Sequence, residues 1–379
     1  MFLVKVGTQM VDFDGTYSLG GNGPENFSRS NVGDLELNKL KFSFGDDDCE
    51  IISMDTLYGG DFCEHVNSEK TTVCASHSHF SPMIDSSKPL LGTVDNAAVN
   101  KWVCANEDIS LKKVGIESVF LYSAACPTQI YRRYDYPGTF LQRLINPRIG
   151  IFPNSVLKID DTIKVFEFRS NQGCEFIIVY FAGHPTAETD TFSITSSYIG
   201  ILRRCLRETF GEVPILFFQG CGADVRPNIT QKRIAKLPNI WLNKRFRSPP
   251  SKADARHHEN LYVNAINDLK LLDSKPLNQN SCKKSSGHLK LQGWRKLNYT
   301  ILHILGFQFH FLPFEVSHLF HRASQKKSPN MFLVSCVNQT YGYLPHPSQL
   351  KYGGYEVDKS RKFMNLPDRL VFEGASFYK

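Results

Sequence analysis

The run Phe176-Ile177-Ile178-Val179-Tyr180-Phe181-Ala182-Gly183 constrains the fold of this chain more than any other stretch. It is apolar on both faces and rich in β-branched and aromatic residues, so it reads as a strand in the interior of a sheet. A second strand-like run, Thr162 to Phe168, precedes it, with Asn171-Gln172-Gly173 between them as a hairpin turn. From Ser193 to Phe210 the pattern changes to that of an amphipathic helix, with Ile199, Leu202 and Leu206 on one stripe, arginines opposite and Gly211 as the stop. Pro214-Ile215-Leu216-Phe217-Phe218 then returns as another buried strand. A strand, helix, strand crossover is the building unit of α/β folds. The expectation is an α/β domain over residues 1–379, with a mixed central sheet flanked by helices.

The rest of the chain fits that class. Leu37 to Phe44, Glu50 to Asp55, Thr71 to Ala75, Gly115 to Ala125, His288 to Trp294, Tyr299 to Phe307 and Met331 to Val337 read as strands. Val94 to Ala105, Ala253 to Leu272 and Val316 to Ala323 read as helices. Asp14 to Asp34, rich in Gly, Asn and Ser, is a long loop of the kind that often carries function. An apolar content of 41% with 21% charged residues is that of an ordinary globular protein, and no apolar run is long enough to span a bilayer. Met1 to Gly7 has no basic region or cleavage site and reads as a first strand. Ten cysteines stand singly, with no Cys-x-x-Cys pair, which favours reduced, buried thiols and a cytoplasmic location. The net charge of +7 gathers partly between Lys232 and Arg256, inside a polar, basic excursion expected over about 229–285. That segment suits an anionic substrate or an anionic surface. Its plainer reading is a solvated loop and helix face, and without a nucleic-acid motif no nucleic-acid partner is expected.

Chemistry enters with Cys74-Ala75-Ser76-His77-Ser78-His79-Phe80-Ser81-Pro82. If the strand before it continues, alternate residues share a face and His77 and His79 emerge together. A single histidine more often just hydrogen-bonds to backbone, so the weight lies with the other polar groups at strand ends: His184, Asp224 and Glu315. Loops beyond the carboxyl ends of strands converge in open α/β sheets. Neutral imidazoles with one carboxylate suit Zn²⁺, and three protein ligands with an open position would leave a metal-bound water as nucleophile.

His77-Ser78-His79-Phe80-Ser81-Pro82, His184-Pro185-Thr186, Gly222-Ala223-Asp224-Val225-Arg226-Pro227-Asn228, Glu315, and Tyr341-Gly342-Tyr343 through Tyr355-Glu356 stand in the order seen in the neutral, non-lysosomal ceramidases. The chain resembles their catalytic domain, from Val6-Gly7 to Tyr355-Glu356. That resemblance implies a zinc ion held by His77, His184, Glu315 and Tyr343. It also implies roles for His79 as proton shuttle, and for Tyr355 and an arginine, Arg132 or Arg133 with Arg132 preferred, as partners of a developing oxyanion. Asp224 is expected to brace loops. The implied activity is hydrolysis of an N-acyl amide, with ceramide or another N-acyl lipid as substrate.

The sequence also departs from the resemblance. Gly220 stands where those enzymes carry serine, Met83-Ile84 where a glycine pair follows the H-x-H motif, and their secretory signal and C-terminal immunoglobulin-like domain have no counterpart in this sequence. Two other readings therefore stand beside the lipid amidase: a deacylase of an N-acyl amino sugar or polysaccharide precursor, and a non-catalytic binding protein that keeps the fold.

Overall fold

The computed structural model describes residues 2–44, 47–133, 150–232, 244–277, 281–294 and 296–378. Arg233 and Lys236 of the basic segment lie outside the described residues. The architecture is mixed α/β, with most strands distributed over three five-stranded sheets instead of one central sheet. In spatial order the first holds Thr71–Ala75, Asp47–Met54, Glu36–Phe44, Phe2–Met10 and Lys112–Ile116. The second holds Ile215–Gln219, Gly173–Phe181, Thr162–Ser170, Ser118–Ala125 and Lys270–Pro276. The third holds Met331–Val334, Phe307–Phe311, Leu297–Ile304, Cys282–Leu291 and Phe372–Ala375.

Each sheet is antiparallel except for one pair at an edge. Thr71–Ala75 runs parallel to its neighbour, as do Ile215–Gln219 and Met331–Val334. These three edge strands meet one another. Ser53 Oγ, on the strand beside Thr71–Ala75, accepts from the Phe217 amide at 2.9 Å, and just beyond Val334 the Ser335 amide donates to Gln219 O at 2.7 Å and Cys336 O accepts from the Ala75 amide at 3.1 Å. Backbone groups that would be exposed at an edge are thereby satisfied inside the molecule. The sheets share one apolar core, in which Leu40, Ile51, Phe166, Ile178, Phe218, Phe309 and Phe332 are all buried. Sequence alternation had marked such faces, while the division into three sheets depends on which edges meet.

Helices cover the outer faces. Asn96–Asp108 packs Trp102 and Val99 on the first sheet beside Leu37 and Ile52. Tyr198–Phe210 and Lys252–Asn267 cover the second, with Ile199, Leu202 and Leu206 buried as the helical stripe requires. His318–Lys327 lays Phe320 against the third.

Several element bounds differ from the sequence reading. Ser193–Ile194 is a two-residue strand paired with Ser30–Asn31, so the crossover helix starts at Tyr198. The helix expected to reach Leu272 ends at Asn267, because Lys270–Pro276 returns to the edge of the second sheet. The expected strand Tyr299 to Phe307 is a hairpin that turns at Leu305-Gly306, both at positive φ. Gln129–Arg133, read as a connection, is a strand between Val225–Pro227 and Ile151–Asn154. None of the described helices is long and apolar enough to cross a membrane, and the ten cysteines form no disulfide.

Candidate metal centre

The parallel edges deliver the chemistry. Thr71–Ala75 leads to His77, Gly173–Phe181 to His184, and Phe307–Phe311 to Glu315. His77 and His79 do converge, with ring centroids 5.0 Å apart, but not by strand alternation. The strand stops at Ala75, and His77 sits at φ 63°, a left-handed conformation that reverses the chain between the two rings. His184 completes a triangle, its ring centroid 5.0 Å from that of His77 and 5.3 Å from that of His79. One ring nitrogen from each of the three histidines lies within 4.8 Å of the others.

Glu315 joins this group from the other side. Its Oε2 is 3.4 Å from His77 Nε2, and its Oε1 accepts the Tyr58 hydroxyl proton. Glu315–Val316 pairs in parallel with Tyr343–Leu344, and Glu315 is directly opposite Tyr343. Two residues 28 positions apart in sequence thus become neighbours on one face through a two-residue ladder.

The histidines are oriented by backbone. His77 Nδ1 lies 3.3 Å from Leu57 O and His184 Nδ1 lies 3.3 Å from Gly222 O. A proton on each Nδ1, donated to those carbonyls, leaves Nε2 with a free lone pair. Burial pushes all three imidazoles below their ordinary basicity. For His77 the Glu315 carboxylate opposes that shift, while His79 and His184 are lowered further by neighbouring charge. All three are neutral at physiological pH. The Nε2 atoms of His77 and His79 and Oε2 of Glu315 are buried without a hydrogen-bond partner. Buried polar groups are seldom left so, and orphaned lone pairs converging with a carboxylate fit a divalent cation of the zinc type.

An arginine side flanks the histidines. Glu356 accepts from Arg132 Nε at 2.8 Å and from Arg133 Nη1 at 2.7 Å, and Arg133 Nη2 also donates to Gly353 O. Burial alone would raise the Glu356 pKa, but the two guanidiniums outweigh it and hold the carboxyl below its ordinary value. Arg132 is the one that faces the histidines. Its Nη1 is 3.5 Å from His184 Nε2, and its guanidinium carbon lies 5.8 Å from the Tyr343 ring centroid and 5.4 Å from that of Tyr355. Tyr343 and Tyr355 meet edge to face at 5.6 Å. Burial pushes both phenols up in pKa, and Glu315 adds to it. Asp224 braces loops as expected, accepting from the Ser317 hydroxyl, from the His318 amide at 2.7 Å and from Gln349 at 2.7 Å.

All seven residues named from sequence therefore lie in one cluster. Distance alone does not separate His77 from His79 as ligands, since both belong to the triangle. Sequence reasoning missed Tyr58, the hydrogen-bond partner of Glu315, and Gln129, whose side-chain oxygen accepts the His184 amide at 3.2 Å. It quoted Glu356 without a role. Its place beside Tyr355 at the end of the ordered motifs was the only signal available for that residue. The long loop does reach the site. The Gly20 amide donates to Ser81 O, Asn22 donates to His79 O at 2.7 Å, and Gly21, at φ 79°, has no room for a side chain, since a β-carbon would fall 2.3 Å from His79 Nδ1. Gly220, the departure from serine, is also packed tightly, though less so than Gly21. A β-carbon there would lie 3.0 Å from Ala182 Cα and Cβ and from Tyr180 Cζ.

Comparison with solved structures finds the same architecture. The chain superposes on the neutral ceramidase of Pseudomonas aeruginosa with a TM-score of 0.63 at 12% identity, over 94% of this chain and 71% of that one. A structure described as ceramidase complexed with C2 gives a TM-score of 0.62 at 11% identity, over 96% of this chain and 74% of that one. The fold is that of a neutral ceramidase. At this distance in sequence, no family model and no curated protein matches the chain.

Proposed function

We propose that this ceramidase-like protein is a zinc-dependent amidohydrolase that cleaves an N-acyl amide of the ceramide type. The observation that carries this reading is the convergence of three neutral imidazoles and the Glu315 carboxylate, with unpartnered buried donor atoms on His77, His79 and Glu315. His77, His184, Glu315 and Tyr343 would hold the ion. When bound, zinc polarises an amide carbonyl and lowers the pKa of its water towards about 7.

The chain's own residues account for the rest. Arg132 Nη2, buried and without a hydrogen-bond partner, is a donor available to an oxyanion, and the Tyr355 hydroxyl beside it is another. With both phenols raised in pKa, Tyr355 stays protonated and donates. His79 is the proton carrier. Neutral at rest, it would accept the proton released by the attacking water, and its depressed basicity makes the imidazolium so formed a strong acid that passes that proton to the leaving amine. Glu356 fixes Arg132 in place, and Tyr58 fixes Glu315. Seven of the ten cysteines are buried and none of the ten is in a disulfide, which supports the reading of a cytoplasmic location.

Metal analysis and hydrolysis together test the proposal. Purified protein is expected to carry about one zinc per chain, retained in no His77→Ala or His184→Ala variant that still folds. It should hydrolyse at least one member of a panel of ceramide, N-acyl amino acids and N-acetylated sugars, and stop on chelation. Metal-free wild-type protein after growth in zinc would sink the metal centre, and activity on no amide would sink the amidase.

A further inference from the structure

Among the described residues, Arg226 is a cation near the centre to which the chemistry above gives no work. It lies in Val225–Pro227, directly opposite Ile130 of the Gln129–Arg133 strand. Opposed residues of an antiparallel ladder share a face, and Arg132 is two residues along from Ile130, so Arg226 and Arg132 lie on the same face of this small sheet. The Arg226 guanidinium is half-buried, 5.2 Å from the Phe246 ring centroid. No carboxylate among the described residues pairs with it. The nearest candidates are committed elsewhere: Glu356 to Arg132 and Arg133, Asp224 to Ser317, the His318 amide and Gln349, and Glu315 to Tyr58 and His77. Burial first, and the Arg132 charge second, bring its pKa down to about 10, and its charge is felt by His79 and His184.

A cation kept partly out of water beside another cation is costly unless an anion joins it. Positive charge also continues outward. Phe246 ends the Lys244–Phe246 strand, which pairs with Thr230–Lys232, so Lys232, Lys244 and Arg245 stand exposed on the hairpin next to Arg226. None of the three has a carboxylate partner among the described residues. A string of unpaired cations leading from the surface to the reacting centre raises the local concentration of anions.

We propose that Arg226 forms a subsite for an anionic group on the amine half of the substrate, so that the preferred substrate is an N-acyl amine bearing a carboxylate or a phosphate. The inference rests on the amidase reading for the identity of the bound molecule. It adds a specificity determinant to it: the planar guanidinium of Arg226 binds the oxyanion while the amide meets the metal centre.

Binding to metal-stripped protein tests this without relying on turnover. N-hexanoylglycine, N-hexanoyl-O-phosphoethanolamine and neutral N-hexanoylethanolamine are titrated calorimetrically into wild type, Arg226→Gln and Arg226→Lys, with thermal unfolding to confirm that each is folded. At least one anionic probe is expected to bind wild type about 10- to 100-fold more tightly than the neutral one, the range of a charge-assisted hydrogen bond. The preference should vanish in Arg226→Gln, persist in part in Arg226→Lys and weaken with salt. The better anionic probe tells carboxylate from phosphate. Equal binding of all three probes to wild type, or a preference that survives in Arg226→Gln, overturns the subsite. Zinc-loaded enzyme separates the two proposals. A preference without hydrolysis of any probe retires the amidase and leaves the subsite, whereas hydrolysis with the same KM for neutral and anionic probes retires the subsite and leaves the amidase.

Discussion

Glu356 is the residue on which the arginine side of the centre depends. One carboxylate, 4% exposed, holds two buried guanidiniums, so removing its charge takes from each its Glu356 ion pair. Glu356→Gln is expected to destabilise the protein by about 3 kcal/mol, within the range for breaking a buried pair. Urea unfolding reads that loss, and an unchanged midpoint would show that the arginines find other partners. Tyr58→Phe is the contrasting case. It removes only a hydroxyl from Glu315, leaving an acceptor free beside the histidines. Zinc content should stay near one per chain while affinity falls by about 10-fold, the usual cost of losing a group that orients a metal ligand. Chelator competition measures it, and an unaltered affinity would mean that Tyr58 only packs. Residue types were legible in sequence here, but Tyr58 was not, because a lone tyrosine in Leu57-Tyr58-Gly59 carries no spacing that points to Glu315, 257 positions away.

At the scale of elements, the sequence marked most helices and strands through periodicity and stop signals. Lys252–Asn267 shows why that works. Ser251 and Asp254 form a capping box, the Ser251 side chain accepting from the Asp254 amide and Asp254 accepting from the Ser251 amide at 2.9 Å. Ser251→Ala should cost about 1 kcal/mol in stability and leave zinc content unchanged, as the cap lies on the outer cover of the second sheet. Equal stability of the variant in urea would show that the Arg247 to Asp254 pair holds this end by itself. Elements defined by a partner escaped. Gln129–Arg133 is a strand because Val225–Pro227 pairs with it, and two adjacent arginines conceal any alternation. The H-x-H geometry is the subtler case, since the residues were found and the strand before them ends at Ala75 as expected, while a left-handed His77, not strand alternation, turns the two rings together.

For the whole molecule, packing three sheets around one core buries groups that water would otherwise reach, and this sets the response to acid. His310, on the Phe307–Phe311 strand, is held by burial at a pKa of about 4, against about 6.5 when unfolded. Between those values the unfolded chain binds a proton that the folded one refuses. Its contribution is therefore complete above pH 6.5 and lost as the pH falls towards 4, by about 3 kcal/mol in all. His318, held at about 3, acts in the same direction. The urea midpoint of wild type should fall over this window, and His310→Phe should flatten that fall; parallel curves for the two proteins would show that His310 is not responsible.

The sequence by itself determined the class of the fold and the order of most of its elements, because periodicity and stop signals are local properties, while the seven residues of the candidate centre came from ordered motifs that resemble those of the neutral ceramidases. Only the tertiary structure decided how those residues meet. Three parallel sheet edges join, a left-handed His77 turns two imidazoles together, and a two-residue ladder sets Glu315 beside Tyr343. The same is true of Arg226, a basic residue within the Gly222 to Asn228 motif, which becomes a candidate anion receptor because the carboxylates described around it are already bound to something else. Pairing and burial are non-local, and no window of sequence contains both partners.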